Sequence, residues 1–139
     1  MKHLAVRDWM TRDPVVITPK TTLPEAYRLM KERRIRRLPV VAGDGRLVGI
    51  VTIGDVREAS PSDATTLSIY ELNYLLAQLT VDRIMTCQVL SVGPNTTIRE
   101  AARLMMERKV SGLPVVEEGR VIGILTESDI FRMIVQEWE

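Results

Sequence analysis

Apolar positions along this chain keep two alternating rhythms. Leu23, Ala26, Tyr27 and Met30 recur at the three- and four-residue spacing of one helix face, and Ile98, Ala101, Ala102 and Met105 do so again. Each stripe opens on a Thr-x-x-Glu sequence, Thr22 to Glu25 and Thr97 to Glu100. There a hydroxyl and a carboxylate can each satisfy an orphan backbone N–H at the helix start. Short β-prone runs precede the stripes, Val15-Val16-Ile17 and Val89-Leu90-Ser91-Val92, ending at Pro19 and Pro94. Two apolar strands follow each stripe. Gly43-Asp44-Gly45 joins the first pair and Glu117-Glu118-Gly119 the second, both in the style of hairpin turns. A last helix begins at Thr52 or Thr126. The predicted order is strand, helix, strand, strand, helix, twice over.

The two halves are copies. At a shift of 75 residues Met10-Thr11 meets Met85-Thr86, Arg28-Leu29-Met30 meets Arg103-Leu104-Met105, and Leu38-Pro39-Val40-Val41 meets Leu113-Pro114-Val115-Val116. After a one-residue gap in a turn, Gly45-Arg46-Leu47-Val48-Gly49-Ile50-Val51-Thr52 meets Gly119-Arg120-Val121-Ile122-Gly123-Ile124-Leu125-Thr126, and Asp55 meets Asp129. A unit this small exposes an apolar face that it cannot cover alone, so the pattern predicts two copies closing face to face in one compact body. The expected boundaries are a first repeat over 1–58, a linker over 59–80 and a second repeat over 81–139. Ala59-Ser60-Pro61-Ser62-Asp63-Ala64 is a turn-rich break. Beyond it Ile69, Leu72, Leu75, Leu76 and Leu79 form a helical stripe, which either pads the core or, with Tyr70, Tyr74, Trp9 and Trp138, contributes to a subunit contact.

Composition narrows the possibilities. Hydrophobic residues make up 45% of the 139 and aromatics only 4%, so the core is expected to be aliphatic. A net charge of +1 argues against a dedicated nucleic-acid binder. The basic excess lies in the first half, largely in Arg33, Arg34, Arg36 and Arg37. Cys87 and His3 are the sole members of their kinds, which rules out an intrachain disulfide and a Cys/His zinc site within one chain. No apolar run approaches the ~18 residues of a membrane span, and the expected location is the cytoplasm. Neither a cluster with catalytic spacing nor a glycine-rich phosphate loop is present, so no enzyme activity and no catalytic cofactor or metal are expected.

The doubled motifs carry a resemblance. Val6-Arg7-Asp8-Trp9-Met10-Thr11, Ile35-Arg36-Arg37-Leu38-Pro39-Val40-Val41 and Leu47-Val48-Gly49-Ile50-Val51-Thr52-Ile53-Gly54-Asp55-Val56 resemble the motifs of tandem CBS domains, the Bateman module. So do their counterparts Val81 to Thr86, Val110 to Val116 and Val121 to Ile130. The resemblance covers about residues 4–135. It implies an α+β fold of two β-α-β-β-α CBS repeats, packed sheet to sheet with pseudo-two-fold symmetry around two clefts. It further implies a ligand of the adenosine class (AMP, ADP, ATP or S-adenosylmethionine), a homodimer, and regulation of a separate effector protein.

The resemblance also implies which residues line each cleft. One takes Thr18, Arg36 and Arg37 from the first copy and Thr126 and Asp129 from the second. The other takes Gly93, Ser111 and Gly112 with Thr52 and Asp55. Val16 and Ser91 are assigned backbone contacts to the base edge. The chemistry is reasonable: at a strand-to-helix turn, free N–H groups and the positive dipole end attract phosphate, and a carboxylate one turn on can accept from both ribose hydroxyls. The alternative is that Thr-x-x-Asp is a purely structural capping box, and both roles can coexist. Arg36 and Arg37 stand where the second copy has Ser111 and Gly112. A guanidinium grips phosphate as a rigid, permanently charged fork, so the Arg-lined cleft is expected to prefer the phosphorylated ligand. Arg33 and Arg34 are expected to be a solvated helix end. A competing reading uses the Arg33–Arg37 strip to bind nucleic acid, with steep salt dependence.

Overall fold

A computed structural model describes residues 4–59 and 68–137 of the chain. His3, the break at 60–64 and Trp138 lie outside the described residues, as do the side chains of Ile69 and Leu72. In chain order the elements are α1 (Val6–Trp9), β1 (Thr11–Arg12), α2 (Leu23–Arg33), β2 (Arg37–Val41), β3 (Leu47–Thr52), α3 (Ile53–Ala59), α4 (Ile69–Gln78), α5 (Ile98–Arg108), β4 (Gly112–Glu117), β5 (Arg120–Thr126) and α6 (Glu127–Glu137). A 3₁₀ turn, Val81–Arg83, lies between α4 and α5.

The chain divides into two compact units that do not follow the repeat boundaries. One comprises residues 1–14 with 90–139, and the other residues 15–89. The segment that leads into each repeat therefore packs in the unit of the other. In the first unit β1 joins β5 and β4 in a three-stranded antiparallel sheet, with Thr11 opposite Ile124 and Arg12 opposite Gly123. In the second, β2 and β3 form an antiparallel pair, and Thr86 makes the corresponding bridge to Ile50. Matching backbone bonds fix both exchanges: Val6 N–H donates to the Thr96 carbonyl at 2.8 Å, and Val81 N–H to that of Thr21 at 2.8 Å.

Each unit buries its own aliphatic core. Leu23, Ala26 and Met30 of α2 pack with Leu38, Val40, Val51, Val56 and Val81, whereas Ile98, Ala101 and Met105 of α5 pack with Val6, Trp9, Met10, Leu113, Val115, Leu125 and Met133. Both helix starts carry the hydroxyl half of the expected box, Thr22 and Thr97 accepting from the N–H groups of Glu25 and Glu100. The second hairpin turns at Glu118 and Gly119, both with positive φ, the conformation of a tight two-residue hairpin.

The first strand predicted in each repeat is a single bridge. Ile17 pairs in parallel with Val40, and Val92 with Val115. Proline explains why neither ladder extends. Ile17 donates to the Pro39 carbonyl and accepts from Val41 N–H; the next rungs would need N–H groups from Pro39 on one side and Pro19 on the other. Pro114 and Pro94 end the second bridge in the same way, because proline has no N–H to give.

Candidate functional site

At the end of β3 the chain turns into α3, and Thr52 and Asp55 close a reciprocal box. Thr52 N–H donates to Asp55 Oδ2 at 2.8 Å and Asp55 N–H donates to Thr52 Oγ1 at 3.1 Å. The Ile53 N–H is taken by the Arg36 carbonyl at 2.8 Å, which ties the entry of β2 to the start of the helix. Arg37, half-buried, opens β2 directly opposite Thr52. Arg36 is exposed. The unit of residues 15–89 thus holds Arg36, Arg37, Thr52 and Asp55 around one strand-to-helix turn.

Thr18 lies further off in the same unit. Its N–H donates to Thr21 Oγ1 at 3.2 Å in an exposed turn. Because Ile17 pairs with Val40, Thr18 runs alongside Val41, four residues along β2 from Arg37, or about 13 Å at the strand rise. Val16, assigned a backbone contact, is 39% exposed. Arg33 ends α2 and Arg34 caps it in the left-handed conformation (φ 56°), both exposed, which is the helix-end role expected of them.

The other unit repeats the turn with different neighbours. Gly112 opens β4 opposite Thr126, and the Ser111 carbonyl accepts from Glu127 N–H at 3.1 Å. Gly93, half-buried, donates its N–H to Thr96 Oγ1 at 3.2 Å in place of the Thr18–Thr21 contact, and Ser91 is half-buried beside it. Asp129 is only 4% exposed. Its Oδ2 accepts from Thr126 N–H at 2.9 Å and from the Thr126 hydroxyl at 3.3 Å. Its Oδ1 accepts from the Thr11 hydroxyl at 3.4 Å and faces Arg132 Nη2 at 3.4 Å. Sequence reasoning missed Thr11 and Arg132. The one signal for Arg132 was its position, three residues after Asp129, where the first copy has Glu58 after Asp55.

Each unit also carries a charged contact that the sequence reading did not use. Asp82 accepts from the Thr80 hydroxyl and pairs with Lys20 Nζ at 3.1 Å. The Thr80 hydrogen bond, then the contact with Lys20, holds its carboxyl below the ordinary carboxylate range. At the equivalent place in the other unit Arg7 donates to Asn95 Oδ1 at 2.6 Å, with the polar roles exchanged. No group of three or more His, Cys, Asp or Glu suited to a metal occurs among the described residues, and no helix is long and apolar enough to cross a membrane.

A profile of the CBS domain matches residues 6–62 and 81–136. The chain belongs to the CBS domain family. A CBS domain-containing protein of Dictyostelium discoideum is 33% identical over 96% of this chain and 93% of its own length. Among solved structures, that of CBSX2, a CBS-pair protein of Arabidopsis thaliana, in complex with AMP has a TM-score of 0.81 at 32% identity, covering 99% of this chain and all of that one. The CBS domain pair of protein MJ0100, solved with 5′-methylthioadenosine and S-adenosyl-L-methionine, has a TM-score of 0.78 at 28% identity, over 96% and 97% of the two chains. Other curated relatives are enzymes by name. A homoserine O-acetyltransferase of Methanohalobium evestigatum is 33% identical and an inosine-5′-monophosphate dehydrogenase of Korarchaeum cryptofilum 38%. This CBS pair spans only about a quarter of either.

Proposed function

We propose that this CBS pair is a regulatory module of the cytoplasm that binds an adenosine-containing small molecule, in the class of AMP, ADP, ATP or S-adenosylmethionine, and acts on a separate partner protein. The observation that carries the reading is its end-to-end likeness to a CBS pair solved with AMP. The two strand-to-helix turns support it: each offers a Thr hydroxyl and an Asp carboxylate one helical turn apart. Thr18, Arg36, Arg37, Thr126 and Asp129 are proposed to serve the phosphorylated ligand, and Gly93, Ser111, Gly112, Thr52 and Asp55 a less charged one. The proposal includes a homodimer. Exposed Phe131, Ile134 and Val135 on α6, and Tyr70, Tyr74 and Leu75 on α4, give such an assembly apolar surface.

Titration calorimetry with AMP, ADP, ATP, S-adenosylmethionine, 5′-methylthioadenosine and NAD tests the proposal. At least one should bind, and Arg37→Ala should weaken AMP several-fold more than adenosine. Arg37→Ala and Thr126→Ala should weaken the same AMP event if the pairing implied by the family holds. Silence from every ligand refutes the reading. Sedimentation of the same samples checks the dimer.

A further inference from the structure

We infer that Arg132 is a positioning residue that holds the Asp129 carboxylate closed, and so sets how tightly that carboxylate can take a ribose; the inference rests on the adenosine-ligand reading above. A carboxylate offers about four acceptor positions. Three of those of Asp129 take hydrogen bonds, two from Thr126 and one from Thr11, and the Oδ1 that holds the fourth faces the Arg132 guanidinium in an ion pair at 3.4 Å. The group is also buried, so a ribose diol finds no acceptor on it clear of these partners. The two bonds on Oδ2 belong to the capping box, so a ligand must displace Thr11 and Arg132 from Oδ1.

Arg132 is held there by more than charge. Its Nη2 donates to the Trp9 carbonyl at 2.9 Å, and the guanidinium lies 5.7 Å from the centre of the Trp9 ring. One side chain thus fastens α6 to the segment that carries Trp9 and Thr11. Among the described residues the other unit has no such fastening. Asp55 makes the same box, but its Oδ1 bonds to no described residue, and the position equivalent to Arg132 is the exposed Glu58. Two motifs that look alike in sequence therefore offer a ribose different acceptors: an open one at Asp55 and an occupied one at Asp129.

Calorimetry of wild type and Arg132→Ala with two probes, adenosine and AMP, tests this. The variant should bind both probes about three- to ten-fold more tightly at one of the events, the range expected when a partly exposed ion pair and its hydrogen bond no longer compete. Its ligand-free melting point should fall, and amide exchange over residues 6–12 should quicken. Lower stability with higher affinity is an outcome that general damage to the fold does not produce. Thr11→Val, which removes the other donor to Oδ1, should tighten both probes in the same direction. If Arg132→Ala fails to fold, Arg132→Gln, which keeps a neutral donor for the Trp9 carbonyl, takes its place. Unchanged affinity overturns the inference. So does weakened AMP with unchanged adenosine, since Arg132 would then be a phosphate contact. If neither these probes nor any other adenosine compound of the calorimetric series binds the wild type, the ligand reading itself falls and the inference with it; if another of them binds, it serves as the probe for the same comparison. If both bind and only the tightening is missing, the inference alone falls.

Discussion

Replacing the two box aspartates by alanine should damage the protein unequally, although the sequence treats them as equivalents. Asp129→Ala removes a buried carboxylate that accepts from Thr126 N–H at 2.9 Å and balances Arg132. Losing a capping contact of this kind costs about 1 kcal/mol. Because the half-buried Thr126 N–H is then left without its acceptor, the cost rises to about 2–3 kcal/mol. The ion pair adds under about 0.5 kcal/mol, because the Arg132 side chain is 49% exposed. The total is about 2–3.5 kcal/mol, or a drop of about 7–12 °C in melting temperature for a chain of this size. Asp55→Ala orphans the equally half-buried Thr52 N–H but removes no described ion pair and no Thr11 contact, and should cost less, about 1–2 kcal/mol. Urea unfolding of both ligand-free variants measures the difference, and calorimetry with AMP on the same samples separates capping from ligand binding. Asp129→Asn, which keeps a carbonyl oxygen for the Thr126 N–H, should recover much of the lost stability. If Asp129→Ala melts with Asp55→Ala, or with the wild type, the buried network is not what distinguishes the two boxes.

Three further outcomes follow from the same packing. A Cβ on Gly49 would meet the flexible end of Met85 at 2.5 Å, whereas one on Gly123 would meet Met10 Sδ at 2.6 Å and also the Thr11 backbone oxygen at 3.0 Å. Gly123→Ala should therefore cost more than Gly49→Ala, about 2–3 against 1 kcal/mol by urea unfolding, and Met10→Ala should rescue it only partly. Asp82 titrates below the usual carboxylate range in the folded state, so its contribution is present above about pH 4 and is lost as pH falls through the lowered value. NMR titration should find that Thr80→Val raises it more than Lys20→Ala does; the reverse order would put the main cause in the lysine. Helices α2 and α5 end on Arg34 and Lys109 at φ 56° and 55°, where a side chain is strained. Glycine at either position should raise stability by about 0.5–1 kcal/mol in thermal melts.

The repeat was legible because both copies use the same few devices at matched positions. Thr22 and Thr97 cap their helices, and the apolar stripes behind them are the buried faces. The single-residue bridges at Ile17 and Val92 were legible in principle, since Pro19, Pro39, Pro94 and Pro114 stand where the neighbouring rungs would need donors. The destination of the leading segments could not be read. Met10 and Met85 are equivalent, and so are Gly49 and Gly123. A sequence containing two copies of knob and hole gives no preference for Met10 against Gly123 over Met10 against Gly49; only the folded chain shows that each methionine packs on the glycine of the other repeat. The burial of Asp129 escaped for a related reason. Its Oδ1 contacts come from Thr11 and Arg132 together, which are 121 positions apart.

This exchange gives the Asp129 network a consequence that a box closed within one repeat would lack. Thr11 reaches Asp129 from a segment that belongs to the unit of residues 90–139, yet the chain passes into the other compact unit at Val15, four residues later. Thr86 holds the same covalent place in reverse, bridged to Ile50 four residues before the chain re-enters the first unit at Leu90. A ligand that draws Asp129 away from Thr11 and Arg132 therefore acts on backbone that leads directly into the opposite unit. A ligand at Asp55 meets an oxygen that bonds to no described residue and has no such described contact to break. Regulation needs a differential between two states, and among the described residues only the Asp129 box contains an interaction that the inferred ligand binding would exchange. By that argument the box that binds a ribose less readily is the one better suited to report that it is filled.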